Sequence, residues 1–328
     1  MARMDLRVRA FAWLTRRQSS VVAMTDEQVI ATQSREFPGG RVTDWIFGSA
    51  VPGVDLSERA IPGPDSDIPA RVYRLAGPAS GAGPRPLVLY FHGGGFVFSD
   101  MRMGDWLCSR VAAGVAAVVV SVDYRLAPRH RFPAAVEDCY AALTWAAANA
   151  AELGAGGPVG VMGESAGGNL SAVMCLLALE RGGPSIAHQA LLYPATDMSE
   201  AGTATASARA NPNARFLSAA EMAAYRTLYL TADGDRANPM VSPLLAKSHA
   251  GLPPALIHVA EHDPLLDDGT RYADALRAAG VAVRLTEWPG MPHGFLNFPG
   301  LCRGAAPALA ELIAEQQAAL APLFESRS

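Results

Sequence analysis

Short continuous runs of valine, leucine and isoleucine recur along the chain, and between them apolar positions return every three or four residues. The continuous runs at Ala70–Arg74, Pro86–Phe91, Ala116–Asp123, Val159–Met162, Ala187–Leu192, Ala255–Ala260 and Val281–Glu287 predict strands. Several lack any polar alternation, as expected of strands with both faces covered. Met103–Val115, Ala134–Leu153, Ala166–Glu180, Leu266–Ala279 and Ala305–Leu323 predict helices. The alternation implies an α/β class: a mostly parallel, doubly wound sheet with helices on both faces.

Two segments break the rhythm. Residues 1 to about 45 are helix-like, with Thr25 and Gln28 at capping-box spacing. Residues 197–238 hold an Ala/Ser/Thr/Asn loop followed by a helix-like stretch, Ser218–Leu230. Ligands of open sheets bind outside the carboxyl ends of the strands, so an insertion after a strand is placed to cover them. The expected organisation is therefore an N-terminal part of a cap (1–45), a first core part (46–196), a cap insertion (197–238) and a second core part (239–328). The plainer alternative is an unrelated arm and a surface insertion. Gly77–Pro86 reads as an exposed loop.

Two glycine-framed motifs stand at the ends of predicted strands. Gly163-Glu164-Ser165-Ala166-Gly167 follows Val159–Met162 and opens a helix. A serine on such a sharp strand-to-helix turn has an exposed hydroxyl, and the flanking glycines remove Cβ atoms that would collide. The structural alternative for Ser165 is a helix N-cap. His92-Gly93-Gly94-Gly95 follows Leu87–Phe91 and offers bare backbone N–H groups, with Ala166, to a developing oxyanion. The alternative there is a flexible turn. His92 is expected to brace this loop rather than move protons.

A serine nucleophile needs a base, and the base needs an orienting carboxylate. His293 lies in the turn-rich loop Pro289–Phe295, just beyond the last predicted strand. His258 and His188 read as core residues, while His130 and His249 sit in polar loops. Asp263 stands directly beyond Ala255–Ala260, with Pro264 favouring an extended backbone before it. Glu261 and Asp267 remain alternatives. Asp267 and Asp268 fall in a helix's first turn, where carboxylates suit the helix dipole.

Bulk properties narrow the setting. The 328 residues are 50% hydrophobic and 18% charged, enough for a large core. The net charge of −4 and the absence of a basic cluster argue against nucleic acid as a partner. Cys108, Cys139, Cys175 and Cys302 are widely spaced, which excludes a typical zinc ribbon and leaves buried thiols. The apolar patch Phe11–Leu14 is cut off by Arg16 and Arg17, too short for a signal segment or a membrane span. A cytoplasmic location is expected, with no metal and no cofactor.

Serine, acid and histidine in the order Ser165, Asp263, His293 match the order found in α/β-hydrolases. With Tyr90-Phe-His-Gly-Gly-Gly-Phe96, Asp123-Tyr-Arg-Leu-Ala-Pro128, Phe132-Pro-Ala-Ala135, Gly163-Glu-Ser-Ala-Gly-Gly168, Ser242-Pro-Leu-Leu245, Asp263-Pro-Leu-Leu-Asp-Asp268 and His293-Gly-Phe295, the chain resembles the hormone-sensitive-lipase-like branch of that fold. Glu164, where Asp or Thr is frequent, and Arg129, where an acidic residue is usual, depart from its commonest pattern. The resemblance implies a serine carboxylesterase or lipase with a helical cap, acting on a small acyl ester with water as second substrate, and a homodimer. The polarity of residues 197–238 favours short- to medium-chain soluble esters over bulk lipid. An amidase or deacylase using the same triad, or a non-catalytic small-molecule receptor, are the competing functions.

Overall fold

Eight strands make one sheet: β1 (Val54–Ile61), β2 (Ile68–Leu75), β3 (Leu87–Phe91), β4 (Val118–Val122), β5 (Val159–Glu164), β6 (Ile186–Leu192), β7 (Ala255–His262) and β8 (Val283–Pro292). Their spatial order is β1-β2-β4-β3-β5-β6-β7-β8. Strand β2 runs antiparallel to both its neighbours, and β3 to β8 are mutually parallel. The computed structural model describes residues 4–14, 20–33, 39–77, 84–98 and 101–321. Parts of the predicted N-terminal cap piece, most of the loop 77–86 and the last residues of the helix predicted over Ala305–Leu323 lie outside them.

The central strands form where the sequence is continuously apolar. Every residue of β3 and β4 is buried, because helices cover both faces. One apolar cluster, including Leu89, Phe91, Val120 and Val161, fills one side of the sheet; another, including Val88, Tyr90, Val119 and Met162, fills the other. The alternation of side chains along each strand assigns neighbours to opposite clusters.

Twelve α-helices accompany the sheet among the described residues: α1 (Leu6–Leu14), α2 (Asp26–Gln33), α3 (Arg41–Phe47), α4 (Asp105–Val115), α5 (Ala134–Ala148), α6 (Ala150–Leu153), α7 (Ala166–Arg181), α8 (Glu200–Thr203), α9 (Ala206–Ala210), α10 (Ala219–Tyr229), α11 (Leu266–Ala278) and α12 (Ala305–Ala319). The single helix predicted over Ala134–Leu153 is two, broken at Asn149. Strand β1 has no counterpart among the predicted strands. Its sequence VDLSERAI is polar and almost wholly exposed, because it is an edge strand. Cys108, Cys139, Cys175 and Cys302 are buried free thiols. No helix among the described residues is long and apolar enough to cross a membrane.

The N-terminal helices and the 197–238 segment touch each other over the carboxyl edge of the sheet. Ser218 and Glu221 close a capping box at the start of α10, and Glu221 also accepts a 3.0 Å hydrogen bond from Ser20 Oγ. The capping box anticipated at Thr25 and Gln28 forms, with Thr25 N–H donating to Gln28 Oε1 at 2.9 Å. From the end of α2, Gln33 Nε2 donates to the carbonyls of Val97 and Ala127, at 2.6 and 2.7 Å. This fastens the N-terminal segment to the loop that leaves the glycine run.

On the far side, Glu311 of α12 accepts hydrogen bonds from His258 of β7 at 3.1 Å, from Thr286 of β8 at 3.0 Å and from Arg284. The His258 hydrogen bond, helped by Arg284 and Thr286 against burial, pulls the Glu311 carboxyl down to about 2. A depressed carboxylate contributes stability above its unfolded value of 4.5, and that contribution is lost as pH falls toward 2. Burial lowers the pKa of His258, so it too binds fewer protons folded than unfolded, and acid again favours unfolding. Thermal unfolding followed by circular dichroism is expected to show the wild-type Tm falling more steeply than that of Glu311→Gln between pH 4.5 and 2. Parallel profiles would remove Glu311 from the account of acid sensitivity.

Candidate active site

Ser165 sits between β5 and α7 with φ +53° and ψ −114°, outside the ordinary regions for a residue with a side chain. Its side chain makes no cap hydrogen bond to the helix, so the N-cap reading fails. Its amide is tied down instead, donating to Leu192 O of β6 at 2.9 Å. The turn closes because its neighbours lack side chains. A Cβ on Gly163 would stand 2.2 Å from Gly167 O, and one on Gly167 only 1.9 Å from Phe91 O. The first turn of α7 therefore lies directly against the ends of β3 and β5.

His293 follows β8, and its Nε2 lies 2.9 Å from Ser165 Oγ. Its Nδ1 lies 2.7 Å from Asp263 Oδ2. Asp263 is wholly buried, and its Oδ1 accepts the Leu265 N–H at 2.8 Å, which fixes the carboxylate plane. The three predicted residues thus form one chain of contacts across three strand ends. The alternative acids are engaged elsewhere: Glu261 accepts from Gly290 N–H, and Asp267 from Ser207 N–H. His258 is the core residue expected. His249 lies in a loop as expected, but it is buried, with Nε2 at 3.0 Å from Pro243 O and its ring edge against Tyr272.

The glycine run turns beneath α10. Gly94 has φ +107°, and its carbonyl accepts the N–H groups of Val97 and Phe98. Gly95 has φ +64°, and any Cβ there would enter the Tyr225 ring of α10 at 2.6 Å. The backbone N–H groups of Gly93, Gly94, Gly95 and Ala166 take no hydrogen-bond partner among the described residues. His92 braces the loop: it stacks on Tyr124 at 4.1 Å, its Nδ1 lies 2.7 Å from Gly93 O, and Tyr124 Oη donates to its carbonyl at 2.8 Å.

Glu164, the departure beside Ser165, is buried. Tyr193 Oη donates to its Oε2 at 2.6 Å, and Tyr90 Oη donates to its Oε1. Burial, reinforced by Glu164, raises the pKa of both phenols, so they remain protonated donors. The Tyr193 ring also meets His293 edge-on, with centroids 5.2 Å apart. Tyr193 was missed in the sequence. Its signal was its place just after β6, where sheet enzymes put functional groups.

Two cavities share Ser165. One, of about 590 Å³, includes His293, Tyr193, Phe216, Asn297 and Phe298 in its wall. The other, of about 490 Å³, is bounded by Ala166, Phe96, Met198, Leu217, Leu265 and the α10 side chains Met222, Tyr225, Arg226 and Tyr229, with Asp197 and Asp268. Tyr225 and Gly95 border both. Asp268 does more than suit a helix dipole, since its Oδ2 accepts the N–H groups of Thr196 and Asp197 at 2.8 and 3.0 Å. It holds the start of the 197–238 segment against α11.

The close approach at Gly163 and Gly167 is open to a direct check. Gly163→Ala and Gly167→Ala are each expected to cost about 3 kcal/mol or more of unfolding free energy in urea titrations. Gly168→Ala, whose nearest neighbour would be the Pro194 side chain at 3.0 Å, should cost well under half as much. Equal losses at all three would mean that this contact does not govern the turn.

Comparisons with known proteins fit the geometry. A sequence profile described as alpha/beta hydrolase fold matches residues 88–297. Carboxylic ester hydrolase LipN of Mycobacterium tuberculosis is 47% identical over 282 residues, covering 83% of this chain and 73% of that protein. Carboxylesterase NlhH of the same organism is 42% identical over 277 residues, covering 82% and 84%. Among solved structures, a hyperthermophilic esterase from the archaeon Pyrobaculum calidifontis superposes with a TM-score of 0.85 at 34% identity, over 96% of this chain and 98% of that one. The chain belongs to the α/β-hydrolase fold family, in its hormone-sensitive-lipase-like branch.

Proposed function

We propose that the protein is a serine carboxylesterase whose catalytic residues are Ser165, His293 and Asp263. The observation that carries this reading is the relay itself: Ser165 Oγ, His293 and Asp263 in contact at 2.9 and 2.7 Å, on a strained turn that exposes the hydroxyl. Relatives named carboxylic ester hydrolase and carboxylesterase support it.

Ser165 Oγ attacks the ester carbonyl while His293 Nε2 takes its proton. Asp263 holds the Nδ1–H tautomer and stabilises the imidazolium. The tetrahedral oxyanion is received by the N–H groups of Ala166 and of two among Gly93, Gly94 and Gly95. Those donors carry no competing bond, so they need no rearrangement as charge develops, and each is worth about 3 kcal/mol of barrier. His293 then gives its proton to the departing alkoxide, and water, activated by the same imidazole, releases the acid from Ser165.

The two cavities take different halves of the ester. The leaving alcohol must face His293 to be protonated, so the cavity containing His293 receives it. The cavity bounded by Ala166 but not His293 receives the acyl chain. Its largely apolar wall suits an acyl chain, and the polarity of residues 197–238 favours short- to medium-chain acids over bulk lipid. In this reading the N-terminal helices and the 197–238 segment act together as the cap that closes both.

Hydrolysis of 4-nitrophenyl esters from acetate to dodecanoate tests the assignment. Activity is expected to peak at or below octanoate and to decline beyond it. Ser165→Ala is expected to lower kcat by about 10⁴-fold or more, and Asp263→Asn by roughly 10⁴-fold. Wild-type rates no higher than those of Ser165→Ala would overturn the triad, and a rise toward dodecanoate would overturn the chain-length preference.

A further inference from the structure

The acyl cavity holds a cation that its apolar walls do not explain. Helix α10 turns Met222, Tyr225, Arg226 and Tyr229 toward it, the i, i+3, i+4, i+7 spacing of a single helix face. Three of these are large apolar or aromatic residues, and Tyr229 stacks on Phe96 at 4.0 Å. Arg226 is half-buried among them, and its buried Nε has no hydrogen-bond partner. A guanidinium keeps its charge at any ordinary pH, and a buried N–H of one left without an acceptor is costly unless a bound group supplies it.

The acids in the same wall do not supply that anion. Asp197 pairs with Arg271 at 2.9 Å, and its Oδ1 accepts from Ser199. Asp268 spends Oδ2 on two backbone N–H groups, and its buried Oδ1 has no partner. Burial, against the pull of those N–H groups, pushes the Asp268 carboxyl up to about 8, so it is mostly neutral at pH 7. The pKa of Arg226 is itself pushed down, first by burial and then by the nearby Arg236, with Asp268 opposing the shift more weakly. Arg226 forms no ion pair or side-chain hydrogen bond with an acid among the described residues, and a planar, bidentate anion matches the guanidinium fork.

We infer that Arg226 receives a carboxylate carried on the acyl chain of the substrate, so that the preferred esters are monoesters of dicarboxylic acids. The inference rests on the ester-hydrolase reading above and narrows its substrate. The chemistry is unchanged: the acyl–oxygen bond breaks, water supplies the hydroxyl and the proton, and the products are an alcohol and a dicarboxylate.

Binding and turnover test it separately at pH 7. Titration calorimetry on Ser165→Ala compares monomethyl adipate with dimethyl adipate, which differ at one end, a carboxylate against a methyl ester. The monoanion is expected to bind about tenfold tighter or better, the range of a charge-assisted hydrogen bond. Arg226→Met in the same background should erase or reverse that ratio, and Arg226→Lys should restore part of it. Equal affinities in Ser165→Ala, or a ratio untouched by Arg226→Met, overturn the inference. Turnover of the two esters by the wild type is then followed by acid release. Hydrolysis of both without charge preference sinks the carboxylate site and leaves the esterase standing. Charge-selective binding with no hydrolysis of either supports the site and sinks the reaction.

Discussion

The close passage of the first turn of α7 across the ends of β3 and β5 is the constraint on which the rest depends. Phe91 O would stand 1.9 Å from a Cβ on Gly167, so only a bare backbone can make this approach. The same approach forces Ser165 to φ +53° and lifts its hydroxyl out of the helix's own hydrogen bonding. It also sets the glycine run beside the serine, with a Cβ on Gly93 falling 3.2 Å from Glu164 O. The exposed hydroxyl and the bare backbone N–H groups are thus consequences of a single packing contact. The strain is held by the surrounding sheet, where the Ser165 amide is bonded to β6 and Glu164 is clamped between two tyrosines.

That contact explains why the core of the site could be read from sequence. A buried parallel strand demands a continuous apolar run, and a tight strand-to-helix crossing demands glycines at fixed offsets. Both demands act on residues adjacent in the chain. Asp263 and His293 were legible for a related reason, since groups beyond the ends of parallel strands must come together in space. Edge strand β1 escaped because nothing packs on most of it, so its pattern carries no burial signal. The roles of Asp268 and Tyr193 escaped because they depend on partners distant in the chain, Thr196 and Asp197 for one and Glu164 for the other.

Glu164 shows how a departure from a family pattern can be absorbed locally. A buried carboxylate beside Ser165 would oppose the negative charge of the proposed oxyanion. Its two oxygens are instead satisfied by phenols, and Tyr193 extends the arrangement by setting its ring edge against His293. The carboxylate therefore helps to fix the face of the imidazole through an aromatic intermediary, without contacting the reacting atoms.

The N-terminal helices and the 197–238 segment obey weaker rules than the core. Their seating relies on a few specific ties: Tyr225 over the bare Cα of Gly95, Ser20 on Glu221, Gln33 on two loop carbonyls, and Asp268 on the start of the insertion. None is a periodic pattern, and each could be exchanged for another without disturbing the sheet. One stripe of α10 therefore carries two different tasks. Tyr225 separates the two cavities and leans on the donor loop, so its size is dictated by Gly95. The next residue, Arg226, meets no such demand from the fold, and its buried nitrogen is left unpaired. Arg226 is only half-buried, yet its Nε is shut off from solvent and from any protein partner, and an anionic group on the molecule that the cavity admits would complete it.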